Sequence, residues 1–215
     1  MGAPEMILVR HGQSEFNVHY GRTREDPGIR DARLTEHGRR QARFAAGVLA
    51  GQDLAAIVAS PYSRALETAH IIADALGLPI VVERLVAERA AFTCDIGSSP
   101  ADLAARWPHL VFDHLDDPWW TAPEETEEAL AARCAAFRAA MAAHEDHRRV
   151  AVVSHWGFIR ALTGLGVTNC SVVRCDPTRP DVPAALLGAP PEPFEPPPDV
   201  APAVVAPPVV ANDDS

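Results

Sequence analysis

The sequence predicts an α/β fold, a three-layer α/β/α sandwich around a largely parallel central sheet. Three observations predict it. Strand-like apolar runs alternate with helix-like segments along the chain. The runs, among them "MILVR", "LAAIVA" and "RVAVVS", are apolar throughout, as expected of strands covered on both faces. Cation-capable side chains end or follow three of these runs, at the sheet edge where open α/β folds collect ligands.

The first strand is "MILVRHG", bounded by Gly12. The stretch from Ser14 to Arg33 reads as polar and irregular, with Gly21, Pro27 and Gly28 as breakers. "LTEHGRRQARFAAGVLAG" predicts a helix capped by Thr35, with Ala42, Ala45, Ala46 and Leu49 on its inner face. "LAAIVASP" is the second strand. Ser60-Pro61 then reads as a helix cap followed by proline in the first turn. Tyr62, Ala65, Leu66, Ala69, Ile72 and Leu76 recur at helical spacing, and Gly77 ends that helix. "LPIVVERL" is the third strand.

Residues 89–122 lose the pattern and carry Trp107, Phe112, Trp119 and Trp120. They read as a cap segment over a pocket. "TAPEETEEALAARCAAFRAAMAAHEDH" predicts a long helix, with Thr121 and Glu124 as a capping box and Leu130, Cys134, Phe137 and Met141 inward. "RRVAVVSHWG" is a buried strand followed by a short helix through Phe158, Ile159 and Leu162. "CSVVRCD" reads as a last edge strand. The folded domain is expected over 1–176. Twelve of the twenty prolines lie between Pro177 and Pro208, so 177–215 reads as a disordered, Pro/Ala-rich acidic tail.

Composition narrows the function. The formal net charge of −10 argues against a nucleic-acid surface. No apolar run is long enough to cross a bilayer and no signal peptide is evident, so a cytoplasmic protein without membrane association is expected. Cys94, Cys134, Cys170 and Cys175 have no zinc-like spacing and read as free thiols. All nineteen basic residues are arginine, which excludes Schiff-base lysines and a P-loop lysine. Any phosphate must therefore be held by arginine, histidine and backbone groups. The histidine–acid clusters at 114–117 and 144–147 are not expected to bind metal, and no cofactor is expected.

Arg10 and His11 end the first strand, Arg64 follows the second, and His155 ends the penultimate one. One site at the sheet edge could collect all four, and together they would face a dianion.

The segments "LVRHGQSEFN", "LTEHGRRQA", "SPYSRALETA" and "VVSHWG" closely resemble the histidine phosphatase superfamily, the phosphoglycerate-mutase-like proteins with an RHG motif. The resemblance runs from about Met6 to Asp176. It implies a metal-independent phosphomonoesterase acting through a phosphohistidine on a small phosphorylated metabolite. His11 would be the nucleophile, with Arg10, Arg64 and His155 as phosphate-holding catalytic groups and Asn17 as a further phosphate contact. Glu88 would be the proton donor and acceptor; Glu83 sits too early, and Asp95 is a weaker rival. The alternatives are phosphoglycerate mutase-type transfer, or a non-catalytic phosphoryl-binding scaffold. The family's longer mutase lids favour the phosphatase. The sequence leaves the oligomeric state open.

Overall fold

The computed structural model describes residues 5–121, 124–144 and 146–191. Six strands form one sheet: β1 (Met6–Arg10), β2 (Ala56–Ala59), β3 (Ile80–Val82), β4 (Val150–Ser154), β5 (Val172–Cys175) and β6 (Ala185–Gly188). Their order is β3-β2-β4-β1-β5-β6. The first four in that order pair in parallel, β5 runs antiparallel to β1, and β6 antiparallel to β5.

The helices are α1 (Glu15–Thr23), α2 (Glu36–Leu49), α3 (Ser63–Leu76), α4 (Pro100–Arg106), α5 (Glu127–Ala143) and α6 (Trp156–Thr163). Along β1 the side chains alternate between two cores. Ile7 and Val9 join the inner faces of α2 and α3, while Met6 and Leu8 join α5 and α6. Both faces of the strand are covered, which is why it reads as continuously apolar and why the molecule has three layers.

The expected inner faces of the second, third and fifth helices are buried: Ala42, Ala45, Ala46 and Leu49 on α2, Ala65, Leu66, Ala69 and Ile72 on α3, and Leu130, Cys134, Phe137 and Met141 on α5. Gly77 ends α3 in the left-handed conformation.

Five expectations need correction. The stretch after β1 holds a helix, α1. Ser14 caps it by accepting the Asn17 amide, and Asn17 Oδ1 accepts the Ser14 amide in return. Ser60 is not the cap of α3, which begins at Ser63, because the Ser60 hydroxyl is engaged by His155 at 2.7 Å. The missing cap comes from a distant residue: Asp31 Oδ1 accepts the Ser63 amide at 2.8 Å.

Thr121 and Glu124 do not form a capping box either. α5 starts later, with Thr126 Oγ1 accepting the Ala129 amide, and Glu124 pairs with Arg89. Residues 89–122 are not irregular throughout: α4 lies within them, and Trp107, Phe112 and Trp119 are buried in the main core. Finally, β5 is not the edge. The sheet passes the boundary expected at 176, and β6 pairs with β5 beyond it. The greater part of the expected tail, 192–215, lies outside the described residues.

Candidate active site

The carboxyl ends of β1, β2 and β4 lie side by side in the sheet, with β4 between β1 and β2. Each hands its next residues to one place. His11 follows β1, and its amide is fixed by the Ser154 carbonyl at 2.9 Å. His155 follows β4, and its ring centroid stands 5.0 Å from that of His11. Arg64 enters from the first turn of α3, after β2. Register therefore accounts for the meeting of His11 and His155, 144 positions apart in the chain.

The chain at Gly12 has no room for a side chain. A Cβ there would meet the Gly38 carbonyl oxygen at 2.4 Å. The glycine lets the start of α2 press against the residue after His11. It also supplies the carbonyl that sets the histidine: His11 Nδ1 lies 2.7 Å from Gly12 O. A carbonyl can only accept, so Nδ1 carries the hydrogen. Burial, then the charges of Arg64 and Arg10, hold the His11 pKa well below its ordinary 6.5, against the opposing pull of the Gly12 carbonyl. The ring is neutral near pH 7, with Nε2 as the lone-pair nitrogen.

Arg64 is buried and held at three points. Its Nη1 donates to the Cys94 carbonyl at 2.9 Å, its Nη2 pairs with Asp95 Oδ1 at 2.9 Å, and its guanidinium lies 4.4 Å from the Tyr62 ring. Arg10 donates from Nη1 to the Val167 carbonyl at 2.8 Å. Asn17 Oδ1 receives the Ser14 amide, the Ser14 hydroxyl and Asn169 Nδ2, so the side-chain Nδ2 is the group of Asn17 that can donate to a ligand.

Glu88 lines the same cavity. Its Oε1 accepts the Arg89 amide at 2.9 Å and the Phe158 amide at 3.3 Å. Burial, followed by the charge of Asp95, raises its pKa above the ordinary 4.5, although Arg64 and the backbone donors act the other way. Arg89 does not pair with it, because Arg89 is committed to Glu124 and Glu127. Asp95, the rival carboxylate, is occupied on both oxygens: Oδ1 by Arg64, Oδ2 by the amides of Ala91 and Phe92, each at 3.1 Å. The Cys94 thiol also donates to Oδ1 at 3.6 Å, so four donors surround this carboxylate and its charge is committed to holding Arg64.

The cavity has a volume of about 470 Å³, and Arg10, His11, Asn17, Arg64 and Glu88 all contribute to its lining. His155 is buried behind them beside His11. In a chain of net charge −10, the lining places Arg10, Arg24, Arg64 and Arg89 against only Glu88 and Asp95. The described lining thus carries an excess of positive charge, with an imidazole and a carboxylate of raised pKa at one cavity.

The family model described as the histidine phosphatase superfamily, branch 1, matches residues 6–175. The chain belongs to this superfamily. It is 31% identical over 189 residues to a glucosyl-3-phosphoglycerate phosphatase of Mycolicibacterium vanbaalenii, covering 80% of each chain. A 2,3-bisphosphoglycerate-dependent phosphoglycerate mutase of Thermoplasma acidophilum is 40% identical over 82 residues, only 38% of this chain and 40% of that one. Among solved structures, a mycobacterial glucosyl-3-phosphoglycerate phosphatase with VO3 superposes with a TM-score of 0.57 at 26% identity, over 85% of this chain and 96% of that one. Membership places this histidine phosphatase among phosphoester hydrolases of small phosphorylated metabolites.

Sequence reasoning missed the supporting residues. Ser60, whose place before Pro61 predicts a helix cap, instead meets His155 Nε2 through its hydroxyl. Asn169 donates to the His11 carbonyl at 2.9 Å as well as to Asn17, and no motif marks it. Asp31, in the left-handed region at φ 41°, caps α3 and joins Ser98 and Arg106. No described residues group as three or more potential metal ligands, and no described helix is long and apolar enough to cross a membrane.

Proposed function

We propose that this protein hydrolyses phosphomonoesters through a covalent phosphohistidine at His11. The single observation that carries the reading is the His11 ring held by the Gly12 carbonyl, with Nε2 as its lone-pair nitrogen in a cavity that Arg10 and Arg64 also line. Nε2 attacks phosphorus and the P–O bond to the alcohol breaks. Protonated Glu88 gives its proton to the departing alkoxide. The resulting Glu88 carboxylate then takes a proton from water, whose oxygen attacks the phosphohistidine. Inorganic phosphate leaves, and both groups return to their starting states.

Arg10 and Arg64 neutralise the non-bridging oxygens, where charge is concentrated in the transition state. Asn17 adds a side-chain N–H from Nδ2. Ser60 Oγ accepts the Tyr62 amide at 3.5 Å, so its proton is available to His155 Nε2. His155 then carries its hydrogen on Nδ1, a buried nitrogen without a partner among the described residues. A phosphate oxygen would satisfy it. The site needs no metal for these steps.

Residues 89–95 act as the pocket-side part of the cap, while the tryptophans that follow anchor it. The substrate is a small ester: the acidic surface argues against nucleic acid, and a cytoplasmic setting suits a metabolic phosphatase.

The test is phosphate release from a panel of esters by wild type and His11→Ala, in the presence of chelator, together with 3-phosphoglycerate with and without 2,3-bisphosphoglycerate. Chelator-resistant phosphate release that disappears in His11→Ala supports the reading. Isomerisation without phosphate release would make the protein a mutase.

A further inference from the structure

The residues assigned to the phosphate account for only part of the cavity lining. Phe16, Tyr20, Phe92 and Trp156 also line it. Phe16 and Tyr20 stand one turn apart on α1, so their rings share a face; they stack with centroids 5.3 Å apart. Phe92, from the cap segment, closes the group at 5.2 Å from Phe16 and 5.0 Å from Tyr20. Phe16 and Tyr20 belong to a small apolar cluster separate from the two cores that hold the sheet. Phe92 is 37% exposed and Trp156 42% exposed, large apolar surfaces open beside a charged site.

The polar groups of the same lining are almost all engaged. Ser14 and Asn17 cap α1, Asp95 holds Arg64, and Arg89 pairs with two glutamates. Apart from the reacting groups, what remains is the Tyr20 hydroxyl and Arg24, whose guanidinium sits 5.7 Å from the Tyr20 ring. Apart from the reacting Glu88, no uncommitted carboxylate or carboxamide oxygen is left among the described lining residues to receive sugar hydroxyls. A site that selects a polyol needs such partners, because each unpaired hydroxyl costs affinity. Ring faces and edges offer the opposite preference.

We propose that this aromatic wall is the leaving-group subsite, and that the enzyme selects phosphomonoesters of alcohols bearing a flat aromatic group over those of sugars and polyols. The proposal rests on the phosphatase reading for its chemistry and on the wall for its selectivity. It departs from the glucosylated substrate that names the mycobacterial relatives.

Two measurements separate the two claims. The first is kcat/KM for propyl, benzyl, 2-phenylethyl and 3-phenylpropyl phosphates and for glycerol 3-phosphate, all primary alkyl esters. The second is calorimetric binding of the corresponding non-hydrolysable propyl- and phenylalkylphosphonates. Covering one ring is expected to favour the best phenylalkyl compound over propyl by about 10- to 100-fold in both measurements. Glycerol 3-phosphate should do no better than propyl phosphate. Tyr20→Ala and Phe92→Ala should each reduce the phenylalkyl-to-propyl ratio about tenfold, mainly through KM.

Turnover with ratios near one, a preference for glycerol 3-phosphate, or ratios unmoved by both variants would overturn the subsite while leaving the phosphatase intact. Selective binding of the phenylalkylphosphonates without turnover of any ester would support the subsite and overturn the phosphatase reading.

Discussion

Asp95→Asn is the most revealing perturbation, because Asp95 touches no substrate in the proposed mechanism. In the wild type, the Arg64–Asp95 pair is 2.9 Å long and both side chains are 3% exposed. Removing one member of a buried pair typically costs about 3–5 kcal/mol. Asparagine keeps the shape but cannot satisfy both sides. With its oxygen toward Arg64, its NH2 faces the amides of Ala91 and Phe92; turned over, its NH2 faces the guanidinium. Some hydrogen bonding survives either way, so a loss of about 3 kcal/mol is expected, the lower end of that range. That is large against a total stability of about 5–15 kcal/mol, yet leaves a folded enzyme.

With a urea m-value of about 2 kcal/mol/M, the unfolding midpoint should fall by about 1.5 M. The pH–rate profile supplies a second readout. Glu88 must be protonated to act as acid, and the Asp95 charge helps to raise its pKa. Without that charge the alkaline limb moves to lower pH. His11 must be neutral, and Arg64 already depresses its pKa. An Arg64 without its counter-ion depresses it further, so the acid limb also moves to lower pH. Urea melts and kcat/KM from pH 4 to 9 measure both effects. A midpoint within experimental error of wild type, with an unmoved profile, would refute the role given to Asp95.

Further outcomes follow from the same geometry. Gly157→Ala places a Cβ 2.5 Å from Glu88 Oε1; kcat should fall about tenfold or more as the carboxylate is displaced, with phosphate inhibition little changed, and steady-state kinetics would show it. Ser60→Ala should lower kcat/KM about tenfold by freeing the His155 tautomer, with Ser60→Thr recovering most of it. Stability should fall as pH drops below 6.5. His11 and His155 have folded-state pKa values well below 6.5, so the unfolded chain takes up protons that the folded chain refuses. Each contributes a slope of about 1.4 kcal/mol per pH unit. Glu88, raised from 4.5, has the opposite sign above pH 4.5, because there the folded chain holds the extra proton and loses that stabilisation as pH rises through its folded pKa. Urea midpoints from pH 7.5 to 5 should show the decline, shallower in His155→Gln. Removing 192–215 should leave turnover unchanged, whereas removing 177–215 strips β6 from β5 and should lower the melting temperature by several degrees in a thermal scan.

The layered fold was legible because its strands are covered on both faces and its helices carry clean apolar stripes. The chemistry was legible because strand ends concentrate it. What escaped depended on partners distant in the chain. Ser60-Pro61 and Ser99-Pro100 look alike as helix starts, but only the second is one: Ser99 Oγ accepts the Asp102 amide at 3.1 Å and opens α4. Ser60 is diverted by a histidine 95 residues away, and Asp31 caps α3 in its place. α1 was hidden by its polar face and Gly21, its capping box closed by asparagine and not by the usual glutamate or glutamine. β6 is short and set among prolines, and its register depends on β5 more than on any pattern of its own. Asp95 looks like an acid in sequence; only the arginine beside it shows that its charge is spent on position.

Rapid acid- and alkali-quenched turnover of a 32P-labelled ester, followed by peptide mapping, tests the covalent step directly. Label is expected on His11, acid-labile and alkali-stable, formed within one turnover and absent from His11→Ala. A turning-over enzyme that never carries label at His11, or carries it on another residue, would contradict that step.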